Sequence, residues 1–334
     1  MAADTMPSPA IMQRPADHGP APVLRLVLLA GVAVVAVVAY LTIGALDAWS
    51  LIAPLRLPRV AAMVLVGLAI AVSTVLFQTV TENRILTPSI MGFDSLYALI
   101  QTGLIFVLGS TTVIGMPPLV RFGVELTAMM LFSALLYRWI FGGPRRSLYL
   151  LVLVGIVFGT LFRSLSAFMQ RVIDPNEFLI VQDRLFASFN GVSPTLLAVG
   201  SVVLALCLAV VWTMRRDLDV LALGRDTALA LGVDHQRKVL RVLALCALLV
   251  SVSTALVGPI TFFGLLVANL AYLLMGTHRH AYVLPGAALL AVVTLVGGQT
   301  VLEHGFGLDT VLSVIIEFAG GIVFIALLVR GGKR

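Results

Sequence analysis

Ten apolar stretches follow one another along this chain, each close to the ~20 residues that a helix needs to cross a bilayer. They cover 24–46, 57–81, 90–108, 117–141, 147–171, 194–214, 238–257, 260–275, 282–303 and 309–330. In lipid every backbone N–H and C=O must be satisfied within the segment, and a helix does this. The pattern therefore predicts an all-α, polytopic membrane protein with about ten transmembrane helices. Composition agrees: 60% of the 334 residues are apolar, only 11% are charged, and mean hydropathy is +1.07. A soluble fold of this size cannot hide so much apolar surface. This excludes a cytosolic enzyme, a DNA-binding domain and a secreted disulfide scaffold. Cys207 and Cys246 each lie inside an apolar run and read as small hydrophobes, so neither a disulfide framework nor a thiolate metal site is expected.

Residues 1–23 contain Pro7, Pro9, Pro15, Pro20 and Pro22 and read as a disordered cytoplasmic tail. The run from Leu24 is too long for a signal-peptide core, so it is expected to be an uncleaved first span. Residues 24–330 then form one transmembrane domain, and 331–334 a cytoplasmic tail. A shorter segment, 175–190, carries Glu177, Asp183 and Arg184 and is expected to lie at the interface or re-enter. Gly258-Pro259 divides the long run 238–275, because proline cannot continue a helix interior. With both termini in the cytoplasm, sixteen of the 22 basic residues fall inside, as the positive-inside rule requires. The six exceptions are Arg56, Arg59, Arg121, Arg163, Arg171 and Arg184.

The longest polar segment between spans is 215–237, on the inner side. Its centre, Asp226 to Gly232, is expected to form a short helix with Asp226 as N-cap and Gly232 at the C-terminal cap. Two readings stand: an amphipathic connector, or a knob on which a partner docks. The chain has no G-x-x-x-x-G-K-[ST] phosphate loop, so ATP hydrolysis is not expected on it. Gln78 and Ser73 are expected to face the bundle interior. Asp94, Glu125, Arg163 and Glu317 lie within or near spans, where charge is expensive; they form no relay by spacing. His278 and His280 make an H-x-H pair without a third ligand nearby. Gly155 and Gly159 form a small-xxx-small pair that lets helices approach closely.

Three segments together resemble the permease subunits of ATP-binding-cassette (ABC) importers for iron chelates and cobalamin. The first is Arg56-Leu57-Pro58-Arg59, followed by a small-residue helix that ends in Gln78, Asn83, Pro88 and Gly92. The second is Ala222-Leu223-Gly224 followed by Ala230-Leu231-Gly232-Val233. The third is Gly258-Pro259-Ile260-Thr261-Phe262-Phe263-Gly264-Leu265. Many members carry Pro-His after the third segment. Ala268-Asn269 stands here, a variant more similar to the iron–siderophore branch, catecholate carriers included. Some members also carry an Arg near the outer end of the ninth span, where this chain has none.

The resemblance implies the transmembrane permease subunit of an importer that takes up a ferric siderophore across the bacterial plasma (inner) membrane. It is not an enzyme: Mg-ATP would be used on cytoplasmic ATP-binding subunits. The other implied partners are a second permease, copy or paralogue, and a periplasmic or lipid-anchored siderophore-binding protein. Arg56 and Arg59 would pair with carboxylates of that binding protein, as guanidinium forks do well, although snorkelling to headgroups would also explain them. Leu223, Gly224, Asp226, Ala230, Leu231 and Gly232 would form the ATPase-coupling segment. Gln78, Asn83 and Ile85 would line the pathway or its cytoplasmic gate, or simply cap a helix end. The chief rivals are a carrier driven by an ion gradient and an integral-membrane enzyme.

Overall fold

The computed structural model describes residues 21–44, 49–141, 148–305 and 312–331. The helices are α1 (Pro22–Thr42), α2 (Trp49–Thr81), α3 (Phe93–Leu108), α4 (Ser110–Gly115), α5 (Pro118–Phe141), α6 (Leu148–Val172), α7 (Pro175–Leu185), α8 (Pro194–Thr213), α9 (Arg215–Leu221), α10 (Arg225–Ala230), α11 (His235–Val257), α12 (Phe263–Met275), α13 (His280–Gly305) and α14 (Leu312–Gly331). The described residues contain no strand. Prolines open α1, α7 and α8, where the missing N–H costs nothing. Asp174, Ser193 and Asp234 cap α7, α8 and α11 by accepting backbone N–H groups.

Among the described residues, seven helices are long and apolar enough to cross a membrane: α1, α2, α5, α6, α8, α11 and α13. Three shorter apolar helices, Phe93–Leu108, Phe263–Met275 and Leu312–Val323, occupy the remaining expected spans. Two of these were shortened by their own sequence. Gly92, at φ 89°, separates α3 from a 3-10 turn at Pro88–Met91. Gly258, at φ 98°, and Pro259 separate α11 from α12, as expected. The second span instead starts eight residues early, because Pro54 and Pro58 are carried inside α2. The expected interfacial segment 175–190 is helical only to Leu185. It buries Val181 against Ile105 and Val113, and Ser188 N–H then donates to the Val257 carbonyl at 2.8 Å. The expected tails lie largely outside the described residues, except that Pro22 and Val23 already belong to α1 and Gly331 still belongs to α14.

The surface is apolar, while a limited set of polar side chains is buried within a mostly apolar core. Leu51, Val107, Tyr149, Leu273 and Phe318 are each at least 74% exposed, while Ser73, Gln78, Gln101, Glu125, Ser251 and Thr254 are buried. That is the arrangement expected where lipid replaces water. α2 and α11 pack against each other at the centre, with 78% and 72% of their apolar windows buried, against 11% for α1 and 17% for α6. Small residues let α12 and α6 approach their neighbours closely as well. A Cβ on Gly264 would meet Thr74 Oγ1 of α2 at 2.2 Å. Gly155 and Gly159 of α6 seat the Met91–Gly92 turn, whose Cα atoms lie 2.8 and 3.1 Å from the Cβ positions the two glycines lack.

Candidate functional site

The segment 215–237 folds into two short helices with a left-handed glycine after each. α9 is anchored by Leu218 and Leu221, and α10 by Ala228, all fully or nearly fully buried. Gly224, at φ 90°, turns the chain between them. α10 ends in a Schellman motif: Val233 N–H donates to Ala228 and Gly232 N–H to Leu229, both at 3.0 Å, with Gly232 at φ 79°. One sequence expectation is corrected here. Gly224, not Asp226, is the N-cap of α10; Asp226 sits one position into the helix and faces outward. Leu223, Leu229 and Leu231 project from this base with exposures of 59%, 51% and 59%. Ala230 and Gly232 are exposed beside them. The knob therefore has a packed underside and an apolar tip. Lys238 of α11 pairs with Asp217 of α9 and braces it from the side.

The bend after α2 lies at the same end. Glu82 adopts φ 51°, the position where helices usually place glycine, and Asn83 N–H closes the turn onto the Gln78 carbonyl at 3.2 Å. Asn83 is exposed, and its Oδ1 accepts from Ile85 N–H at 2.9 Å, an Asx turn. Ile85 is half-buried. Gln78, buried as expected, donates to the Arg84 carbonyl at 2.7 Å; Asn269 of α12 donates to the same oxygen at 3.1 Å. The Arg84 guanidinium stacks over Tyr272, 4.5 Å from the ring centre, and lies 3.0 Å from His278 Nδ1. The departure at Ala268-Asn269 thus has a physical role: Asn269 clamps the bend. Nothing in its spacing announced that, because the partner is a backbone oxygen 185 positions away.

At the opposite end, Arg56 is occupied within the chain. Its Nη1 donates to the Tyr40 and Ile43 carbonyls at 2.7 and 2.8 Å, and its Nη2 lies 3.1 Å from His304 Nε2. These carbonyls belong to the C-terminal end of α1, where helical partners run out. Arg56 is therefore a cap joining α1, α2 and the end of α13. Arg59, half-buried, faces the Tyr40 hydroxyl, which in turn donates to Glu303 at 3.4 Å.

Two other features lie apart from these ends. Glu125, 1% exposed, accepts from Gln101 at 2.5 Å and sits 3.6 Å from Arg121, in the wall of a 590 Å³ cavity shared with Asp183 and Arg184. Asp94 borders a small cavity whose lining includes Ser73, Thr74, Thr87, Ser89, Ser253, Thr254 and Thr261. His278 and His280 point to different partners and do not converge. Among the described residues no group of three or more His, Cys, Asp or Glu could hold a metal.

Apolar-skinned helices around a core with scattered buried polar groups, and a braced knob at one end, define a polytopic membrane protein. Residues 23–330 match the FecCD transport family, and the chain belongs to that family. It is 50% identical over 310 residues to the petrobactin import system permease protein YclO of Bacillus subtilis (strain 168), covering 93% of this chain and 98% of the relative. It is 38% identical over 275 residues to the petrobactin import system permease protein FatC of Bacillus anthracis, covering 82% and 78%. The fold superposes with a TM-score of 0.78 on a metal-chelate type ABC transporter in an inward-facing conformation, at 24% identity and covering 92% and 99% of the two chains.

Proposed function

We propose that this chain is the permease subunit of an ABC importer that carries a ferric siderophore across the bacterial cytoplasmic membrane. Petrobactin is the first cargo to test, and catecholate siderophores are the wider class. The carrying observation is the knob at 215–237. Its leucines are exposed on a rigid base, and an exposed apolar tip at a membrane protein's aqueous face calls for a protein partner. In this reading Leu223, Gly224, Asp226, Ala230, Leu231 and Gly232 receive a cytoplasmic ATPase that binds Mg-ATP. α3, α12 and α14 cross the membrane with the seven longer helices, which gives ten spans and puts both chain ends on the knob's side, the cytoplasm.

A second permease, copy or paralogue, would complete the pathway along α6 and α14. Arg163 supports this. It is exposed on α6 nine residues, about 14 Å of helical rise, from the helix end. An arginine at that depth belongs against a partner or a water-filled path, not lipid. The bend at Gln78, Asn83 and Ile85 would be the inner gate. A binding protein would dock at the far end, where Arg59 is the docking arginine and Arg56 holds the frame.

The test is uptake of radiolabelled ferric petrobactin into vesicles that hold the assembled importer. ATP supplied on the ATPase side should drive it, and a proton or sodium gradient alone should not. Uptake on a gradient without the ATPase would establish the secondary-carrier reading instead.

A further inference from the structure

The knob must do more than bind a partner if it is to move the bend at 82–85, and its buried contacts Leu218, Leu221 and Ala228 are apolar. Apolar contacts slide with little directional preference. Two polar connections run from the knob into the body: Asp217 with Lys238 of α11, and a second that reaches α2. Asp219 of α9, its side chain 36% exposed, places Oδ1 2.7 Å from the backbone N–H that opens α13 and 2.7 Å from Nδ1 of the same residue, His280. The His280 ring is buried, and its Nε2 lies 2.7 Å from Thr79 Oγ1 in the last turn of α2. A single imidazole thus touches the knob on one edge and the gate-bearing helix on the other, three residues before the left-handed Glu82. The Glu82 carboxylate lies over Gly224, within 3.7 Å of where that residue's Cβ would stand, so the knob meets the bend a second time.

The Thr79 end of the connection has an alternative partner within its own helix. The Thr79 hydroxyl has one proton, with the Val75 carbonyl at 2.8 Å and His280 Nε2 at 2.7 Å in reach, and the Tyr272 hydroxyl also bonds to it. A shift of α9 that pulls the imidazole away leaves Thr79 bonded within its own helix. A shift back restores the bridge. Buried polar groups hold their partners firmly because water is not there to replace them.

We propose that Asp219, His280 and Thr79 are positioning residues that transmit movement of the 215–237 knob to the end of α2 and the bend at 82–85. This rests on the knob being the ATPase-docking element. The test uses the complete importer in proteoliposomes and reads ATP hydrolysis and ferric petrobactin uptake together. Thr79→Val keeps the shape and removes the hydroxyl; Thr79→Ser restores it. Asp219→Ala removes the acceptor; Asp219→Asn keeps an oxygen there.

Thr79→Val and Asp219→Ala are expected to leave ATP hydrolysis near the wild-type rate while uptake per ATP falls about tenfold, the size of effect that coupling networks carry. Thr79→Ser and Asp219→Asn should recover most of the ratio. Wild-type uptake per ATP in Thr79→Val or Asp219→Ala overturns the proposal, and so does a loss that the conservative variants share in full. If Asp219→Ala does not assemble, the threonine pair decides alone. A wild-type complex that transports without its ATPase defeats the underlying reading instead, and that outcome is separate from these.

Discussion

The two ends of the helical body use polar side chains differently. At the knob end, Asp219–His280–Thr79, Gln78 and Asn269 on Arg84, Arg84–His278 and Lys238–Asp217 link α2, α9, α11, α12 and α13. Several of these bonds run to one short bend. At the far end, Arg56 gathers α1, α2 and α13 into a cap, and its acceptors are mostly backbone oxygens at a helix terminus. The first arrangement ties several elements to one bend; the second closes a frame. Between them lies a mostly apolar core whose helices approach closely at single glycines such as Gly264.

The largest expected effect is in that core. Gly264→Leu forces a side chain into Thr74, and no folded protein should be recovered by gel filtration in detergent. Next is the knob. Leu223→Asp with Leu231→Asp should leave the permease folded but prevent co-purification of the ATPase. Each buried leucine is worth about 1.5–3 kcal/mol in such an interface, roughly tenfold or more in affinity. At the far end the two arginines should separate. Arg56→Ala orphans several acceptors and should cost about 1–3 kcal/mol, seen as a lower Tm. Arg59→Glu should leave Tm nearly unchanged and abolish binding-protein-dependent uptake. Equal effects on Tm would erase the distinction between frame and docking residue. The smallest effect is Glu82→Gly. Relief of the left-handed strain should stabilise the fold by about 1 kcal/mol, measurable as a small rise in Tm.

Much of this architecture was legible in the sequence because bilayer thickness and helix rise leave few choices. The Gly258-Pro259 break, the start of α8 at Pro194 and the Gly155/Gly159 seat were all readable from local chemistry. Errors fell where tertiary context overrides a local rule. Prolines at 54 and 58 look like a helix start, yet α2 runs through them. Asp226 resembles an N-cap, but the turn requires a residue at φ 90°, so Gly224 takes that position. The bonds of Arg56 to the α1 carbonyls are likewise not visible in the sequence, where the arginine reads as a docking residue. His280 was visible only as half of an H-x-H pair. Its actual partners, Asp219 and Thr79, lie 61 and 201 positions away. Long-range polar bridges of this kind leave no periodicity, so no pattern in one sequence exposes them.

The central claim is that the 215–237 knob is where another subunit delivers energy from the cytoplasm. Leu229, exposed at its tip, can be replaced by cysteine, and the native Cys207 and Cys246 are buried and should stay silent. A membrane-impermeant maleimide applied to oriented vesicles should label Leu229→Cys from the cytoplasmic face only, and added ATPase subunit should protect it. Labelling from the outer face, or labelling that the ATPase leaves unchanged, would contradict the account.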